Sequence, residues 1–300
     1  PKNCRGLAEF VDFHAARRNW PVSVSTVDRP RRASPPRAEV PAPASPELPL
    51  TVIEPPSAWG LLDVRELWRY RELLGFLTLR DIKLRYKQTV LGFAWTVVQP
   101  ASTVLVFVVF VGWMGGLAAG SDDYTLLVLS GVLPWTFFAN ATSNAANSLI
   151  GNERLVTKTY FPRVMLPAAN VGAAAFDFLV CLSLLGLVAA VSGVVPTANL
   201  LLAPVVIALL ALTAFGVGTL LSALIVAQRD FRYLMTFGIQ LWMFATPCIY
   251  MNPANIAPAA QRWMPLNPVY GLILNFRAAV LGTEPDFVSL TMSACVAVAA

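Results

Sequence analysis

Few side chains in this sequence are equipped for chemistry, and they gather in three places. Asp177 is the one ionisable residue set well inside a long apolar run, AAAFDFLVCLSLLGLVAAV. If that run spans a membrane, the charge is costly and must face a bundle interior or a cavity with a partner. Asp177 is therefore either a proton- or substrate-binding group or the structural hydrogen-bond partner of a neighbouring helix. The second place is RDIKLRYK, where Arg80, Lys83, Arg85 and Lys87 form a basic collar ahead of a segment with nothing ionisable until Asp122. The third is GNERLVTKTYFPRVMLP, Gly151–Pro167. Asn152 and Glu153 can start a short helix there and Pro162 ends one, leaving Arg154, Lys158, Tyr160, Phe161 and Arg163 exposed. Flanking of a membrane helix explains the charges. An aromatic pair set between them suits docking into a groove on a partner protein.

Catalytic constellations are missing. No lysine follows a glycine at the spacing of a nucleotide-binding loop, and neither HExxH nor GxSxG occurs. Asp122 and Asp123 form a pair in a short loop and read as solvated. Cys4, Cys181, Cys248 and Cys295 are scattered, which suits packing better than metal or disulfide chemistry. The single histidine, His14, lies in a Pro-rich, charged region. Transport or scaffolding is the expectation.

The elements that must position these residues are membrane helices. The chain is 56% hydrophobic and 13% charged, against about 25% charged in soluble domains. Its net charge of +5 collects at the ends of apolar segments, which is not a nucleic-acid footprint. Residues 1–58, with PRRASPPRAEVPAPASPELP, cannot bury a core and are expected to be a disordered cytoplasmic tail. WGLLDVRELWRYRELLGFLTL, Trp59–Leu79, has apolar residues near helical spacing. It reads as an amphipathic helix in the membrane interface or as a soluble helix packed on a partner. Spans are expected at about Leu91–Trp113, Thr125–Leu149, two within Val164–Ala227 broken near Ser192–Asn199, Tyr233–Tyr250, and one starting near Phe287. The last stretch, Phe287–Ala300, is shorter than a spanning helix needs, so the natural chain is expected to continue. Met251–Asp286 is too short and too Pro-interrupted for two crossings; it reads as short re-entrant helices or as an external loop with a surface helix.

Basic residues set the orientation. Arg65, Arg69, Arg71, Arg80, Lys83, Arg85 and Lys87 precede the first span, Arg154, Lys158 and Arg163 lie between the second and third, and Arg229 and Arg232 between the fourth and fifth. The other side carries only Arg262 and Arg277, in its last loop. The positive-inside rule then makes the N-terminus cytoplasmic. Aromatic residues recur near span ends, and either belong to the interfacial belt or stack on sugar rings.

The segment ELWRYRELLGFLTLRDIKLRYKQTVLGFAWTVVQP resembles the opening of type-2 ABC exporter permeases of the polysaccharide family, which exports O-antigen, teichoic acid and capsule. Three later blocks fit in order: GVLPWTFFANATSNAANSLIGNERLVTKTYFPRVMLP, ALIVAQRDFRY, and QLWMFATPCIY followed by LNPVYGLILNFR. The resemblance implies an all-α membrane protein of six spans over residues 59–300, in the cell (inner) membrane. It implies a homodimer working with two copies of a separate ABC ATPase, which holds ATP and Mg; this chain itself binds no cofactor or metal. Glu153–Pro162 would be the coupling helix, Trp59–Leu74 the interface helix, and Asn252–Gly282 the outer gate, with Arg262, Asn267, Pro268 and Arg277. The cargo would be a polysaccharide on a polyprenyl-diphosphate carrier. Arg80, Lys83, Arg85 and Lys87 would either receive the diphosphate or only hold topology. Trp95, Trp135, Phe138, Trp242 and Phe244 are the candidates for the sugar path. Three rivals stand beside this reading. An exporter of a small lipid or drug would keep the fold; a membrane-embedded lipid-sugar enzyme would show an acidic cluster; an ion-coupled flippase would show several intramembrane charges.

Overall fold

The structure, a computed structural model, describes residues 68–87, 94–114, 124–158, 161–194, 197–247 and 263–299. The expected tail, residues 59–67 of the interface helix, His14, Cys4, Asp122, Asp123, Tyr160, Cys248 and Arg262 lie outside these. All regular structure among the described residues is helical, as it must be where backbone polar groups find no water. The helices are α1 (Arg71–Lys87), α2 (Ala94–Val106), α3 (Tyr124–Gly151), α4 (Glu153–Lys158), α5 (Met165–Val191), α6 (Ala203–Ala227), α7 (Phe231–Phe244), α8 (Pro268–Leu281) and α9 (Phe287–Ala299). A π-helical segment, Phe107–Met114, prolongs α2, and single 3₁₀ turns precede α6 and α8.

Among the described residues three helices are long and apolar enough to cross a membrane: α3, α5, and α6 with its leading turn from Ala198. They fall where the second, third and fourth spans are expected. The break between α5 and α6 is made by Gly193, whose φ of 72° places it in the left-handed region that ends helices. The expected first, fifth and sixth spans correspond to shorter helices, α2, α7 and α9. The expected amphipathic helix, Trp59–Leu79, lies in part outside the described residues; α1 runs from Arg71 to Lys87, so the basic collar is itself helical.

α3 is the inner helix. Of its most apolar window 72% is buried, against 22% in α5 and 28% in α6. The outer faces of α5 and α6 carry exposed Leu179, Leu187, Val191, Leu212, Leu220 and Val226, the surface a bilayer would cover. Around α3 the core holds Phe137, Phe138, Phe178, Leu210 and Phe276. With lipid as solvent, helices gain little by hiding apolar surface from one another, so close backbone approach matters more. Gly218 of α6 provides it: a Cβ there would lie 2.6 Å from the Ala145 Cβ and 3.3 Å from the Thr142 carbonyl of α3. Gly271 does the same between α8 and α9, where a Cβ would lie 2.5 Å from the Ser289 carbonyl.

α8 is not the surface helix of an external loop. Val269, Leu272, Ile273 and Phe276 are fully buried against its neighbours. Its ends are well specified: Asn267 accepts from the Val269 N–H at 3.1 Å, Pro268 takes the first position, and Gly282 closes it at φ 73°. Asn199 donates to the Thr283 carbonyl at 2.9 Å, which joins the α5–α6 and α8–α9 connections.

Alanine at Gly218 or Gly271 is expected to force helices apart and to cost about 1–3 kcal/mol. Alanine at Gly75 or Gly238, which face open space, is expected to cost nothing measurable. Thermal unfolding of the purified protein in nanodiscs checks both.

Candidate functional site

α1 packs lengthwise on α5. Leu77 sits with Phe161, Met165, Leu166 and Ala169, the Thr78 side chain abuts Gly172, and the C-terminal end of α1 reaches Asp177. There the Arg85 guanidinium and the Tyr86 hydroxyl both donate to the Asp177 carboxylate. The collar is thus not confined to the membrane edge. Its Arg85 reaches the middle of the 27-residue α5, about 18 Å along the helix from Met165 at 1.5 Å per residue. The carboxylate and guanidinium remain 21% and 30% exposed, so the pair borders a cavity. Tyr86 also lies 3.2 Å from the Thr96 hydroxyl, and the Cys181 thiol donates to the Thr96 carbonyl at 3.3 Å. One carboxylate thereby pins α1, α2 and α5.

The cavity is a cleft of about 760 Å³ walled by α1, α2, α3 and α5. Its polar lining includes Arg85, Tyr86, Asp177, Thr96, Gln99 and the α3 residues Thr136, Asn140 and Asn144; Trp95, Phe137 and Phe178 supply apolar surface. A second cleft of about 440 Å³ shares Arg85 and Asn144 with it and continues past Asn147, Ser148 and Asn170 to Arg80 and Asn152. Asn140, Asn144 and Asn147 recur at helical spacing, one polar stripe along α3.

At its far end this stripe meets the charged connectors. Arg80 donates to Asp81 at 2.8 Å and to the Asn152 side-chain amide oxygen (Oδ1) at 3.0 Å, and Asn152 leads directly into α4. Arg232 donates to Asn147 at 2.8 Å. Glu153, Arg163, Arg229 and Arg232 line one pocket of about 610 Å³. Basic residues from two different connectors therefore converge on one end of the bundle.

Several candidates fall elsewhere than expected. Glu153, Arg154, Lys158 and Arg163 are exposed, but Phe161 is buried. It fills the wedge between α1 and α5, so it is a packing residue and not a docking one. The collar is split by helical geometry: Arg80 and Arg85 face the protein, while Lys83 and Lys87 are exposed. Trp135 and Phe138 are core residues, 4% and 0% exposed, because α3 is surrounded. Phe138 packs between Trp135 and Trp242 with centroids at 5.7 and 5.3 Å. Trp242 donates to Asn267 at 3.0 Å, and Asn267 donates to Thr246 at 2.9 Å, so these residues tie α7 to the start of α8. Trp95 lines the cleft and Phe244 is exposed. Arg277 is buried on α8. Among the described residues no cluster suits a metal ion.

Sequence reasoning missed the partner of Asp177, Tyr86, and the amide stripe. The spacing of Asn140, Asn144 and Asn147 was a legible signal for the last.

Removing Arg85 alone should strand the carboxylate at depth. Arg85→Ala and Asp177→Ala are each expected to lower stability by about 1–3 kcal/mol, discounted for partial exposure. The double variant should cost less than their sum. A double-mutant cycle by thermal or denaturant unfolding checks the coupling, and strict additivity would remove the pair from the account.

Residues 72–281 match the ABC-2 type transporter family. The O-antigen export system permease protein RfbA of Myxococcus xanthus is 30% identical over 216 residues, 72% of this chain and 82% of that protein. Two O-antigen export system permease proteins RfbA of Klebsiella pneumoniae are 28% identical over 208 residues, 69% of this chain and 79% of theirs. The family match runs from the second residue of α1 to the last of α8 and so takes in the cleft, the paired carboxylate and the charged end: this membrane-embedded chain belongs to the ABC-2 type transporter family.

Proposed function

We propose that this chain is the permease subunit of an ATP-driven exporter that moves polyprenyl-diphosphate-linked polysaccharide of the O-antigen kind from the cytoplasm across the cell (inner) membrane. The observation that carries the reading is the likeness, over most of the chain, to three O-antigen export permeases. The chain acts as a transport component and not as an enzyme. Two copies of it pair with two copies of a separate ABC ATPase, on which ATP and Mg are bound. Six spans with a cytoplasmic N-terminus put α4 and the converging basic residues in the cytoplasm, as the positive-inside rule asks.

The exposed charges of α4 are the docking surface for the ATPase. Asn152 at its root holds Arg80, and the helix carrying Arg80 ends on Asp177. A displacement of α4 on ATP binding therefore has a direct mechanical route, through α1, to the wall of the cleft. Lys83 and Lys87, exposed and in no ion pair among the described residues, attract the carrier diphosphate to the bundle. Arg80 and Arg85 are held by Asp81 and Asp177 and serve structure first. The sugar path is left to Trp95 and Phe244 among the original aromatics, and α8, with Asn267, Pro268 and Arg277, forms the outer gate.

In proteoliposomes with the partner ATPase, Arg154→Glu with Lys158→Glu is expected to lower glycan export and glycan-stimulated ATP hydrolysis by about tenfold, the scale of a lost interfacial charge pair. Unchanged export would remove α4 as the docking element. Lys83→Gln with Lys87→Gln should slow export while membrane insertion, scored separately by protease protection, stays normal; a loss confined to insertion would return these lysines to topology. Transport of glycan-free lipid with no transport of glycan would favour the small-lipid reading.

A further inference from the structure

Three carboxamides line the cleft: Gln99 of α2 and Asn140 and Asn144 of α3. None has a hydrogen-bond partner among the described residues, although Asn147, on the same stripe, has two. Asn140 lies near the middle of the 28-residue α3, at the depth of the Arg85–Asp177 pair with which it shares the cavity. Gln99 and Asn140 are exposed and Asn144 is half-buried, so their amide groups are open to whatever fills the cleft. Each can donate twice and accept twice, so three of them form a dense neutral array facing one space. That space, about 760 Å³, is within the about 300–1,000 Å³ usual for small-molecule sites.

The lining selects among ligands. A lipid tail would leave these amides without hydrogen-bond partners. A diphosphate would want several unpaired cations, and among the described residues the one cation lining the cleft, Arg85, is already bonded to Asp177. Neutral hydroxyl groups match carboxamides, which can donate to and accept from them in any orientation. Trp95 on the same wall, an exposed ring, supplies a flat apolar face for the C–H side of a sugar ring. We propose that Gln99, Asn140 and Asn144 form a subsite for a neutral monosaccharide unit of the cargo. The site reads hydroxyls while the carrier headgroup is held elsewhere. The proposal rests on the export reading above and adds to it where, and by what chemistry, the glycan is recognised.

The test uses the assembled exporter, permease and ATPase, in proteoliposomes. Two probes are compared: polyprenyl diphosphate bearing a neutral oligosaccharide, and bare polyprenyl diphosphate. The readout is the half-saturating concentration of each for stimulating ATP hydrolysis. Wild type should prefer the glycan-bearing probe. In Asn140→Leu with Asn144→Leu, near-isosteric and apolar, that preference should fall about fivefold or more, one neutral hydrogen bond being worth about that factor. Gln99→Met on the other wall carries the same expectation independently, should the double variant not assemble. Asn140→Gln with Asn144→Gln should restore part of the preference. An unchanged preference in the apolar variants overturns the subsite, as does an equal weakening towards both probes. A wild type that responds to no glycan-bearing probe overturns the export reading, and the subsite with it.

Discussion

A carboxylate in the middle of a membrane helix must be neutralised where it stands, and much of this structure follows from how Asp177 is. The charge is met by a guanidinium and a phenol from one turn of α1. To deliver them, α1 has to lie along α5 instead of across its end. That course puts Thr78 against Gly172 and Leu77 into the Phe161 wedge, and it brings Arg80 to the root of α4. The ion pair is worth less as a source of stability than as a constraint on direction, since desolvation offsets most of its Coulomb attraction. Few other placements of α1 satisfy the same aspartate.

α3 separates two kinds of interior. One side meets α6 and α8 through small residues and rings, dry and closely packed. The other carries amides into clefts that run from mid-depth to the charged end. The close packing of the bundle and its polar clefts therefore fall on opposite faces of one helix. That division explains why Trp135 and Phe138, sensible candidates for stacking on sugar, belong to the core, while asparagines with no aromatic character face the open space.

What could be read from the amino acids was whatever depends on depth. Charge gaps placed α3, α5 and α6 to within a few residues, and the cost of burying charge singled out Asp177. Whatever depends on azimuth was hidden. Whether Trp95 or Trp135 faces a cavity turns on how each helix is rotated among its neighbours, and lipid and protein surroundings select similar apolar residues. For the same reason Phe161 looked like a docking residue: a ring between cations has one sequence pattern whether it points out or in. The partner of Asp177 was hidden differently. Arg85 stands 92 positions away in a segment whose charge already had a sufficient explanation in topology.

The approach of Gly218 to α3 bears on how such a bundle can move. No room exists there for even a methyl group, so sliding α6 along α3 by a turn would bring Ala214 or Ser222 to a place that admits only hydrogen. The two helices are locked in register and make a stator. α2 is tied to its neighbours differently, through the Tyr86–Thr96 and Cys181–Thr96 hydrogen bonds. A hydrogen bond can be exchanged for another at a small net cost, whereas moving α6 along α3 requires the seam at Gly218 to come apart.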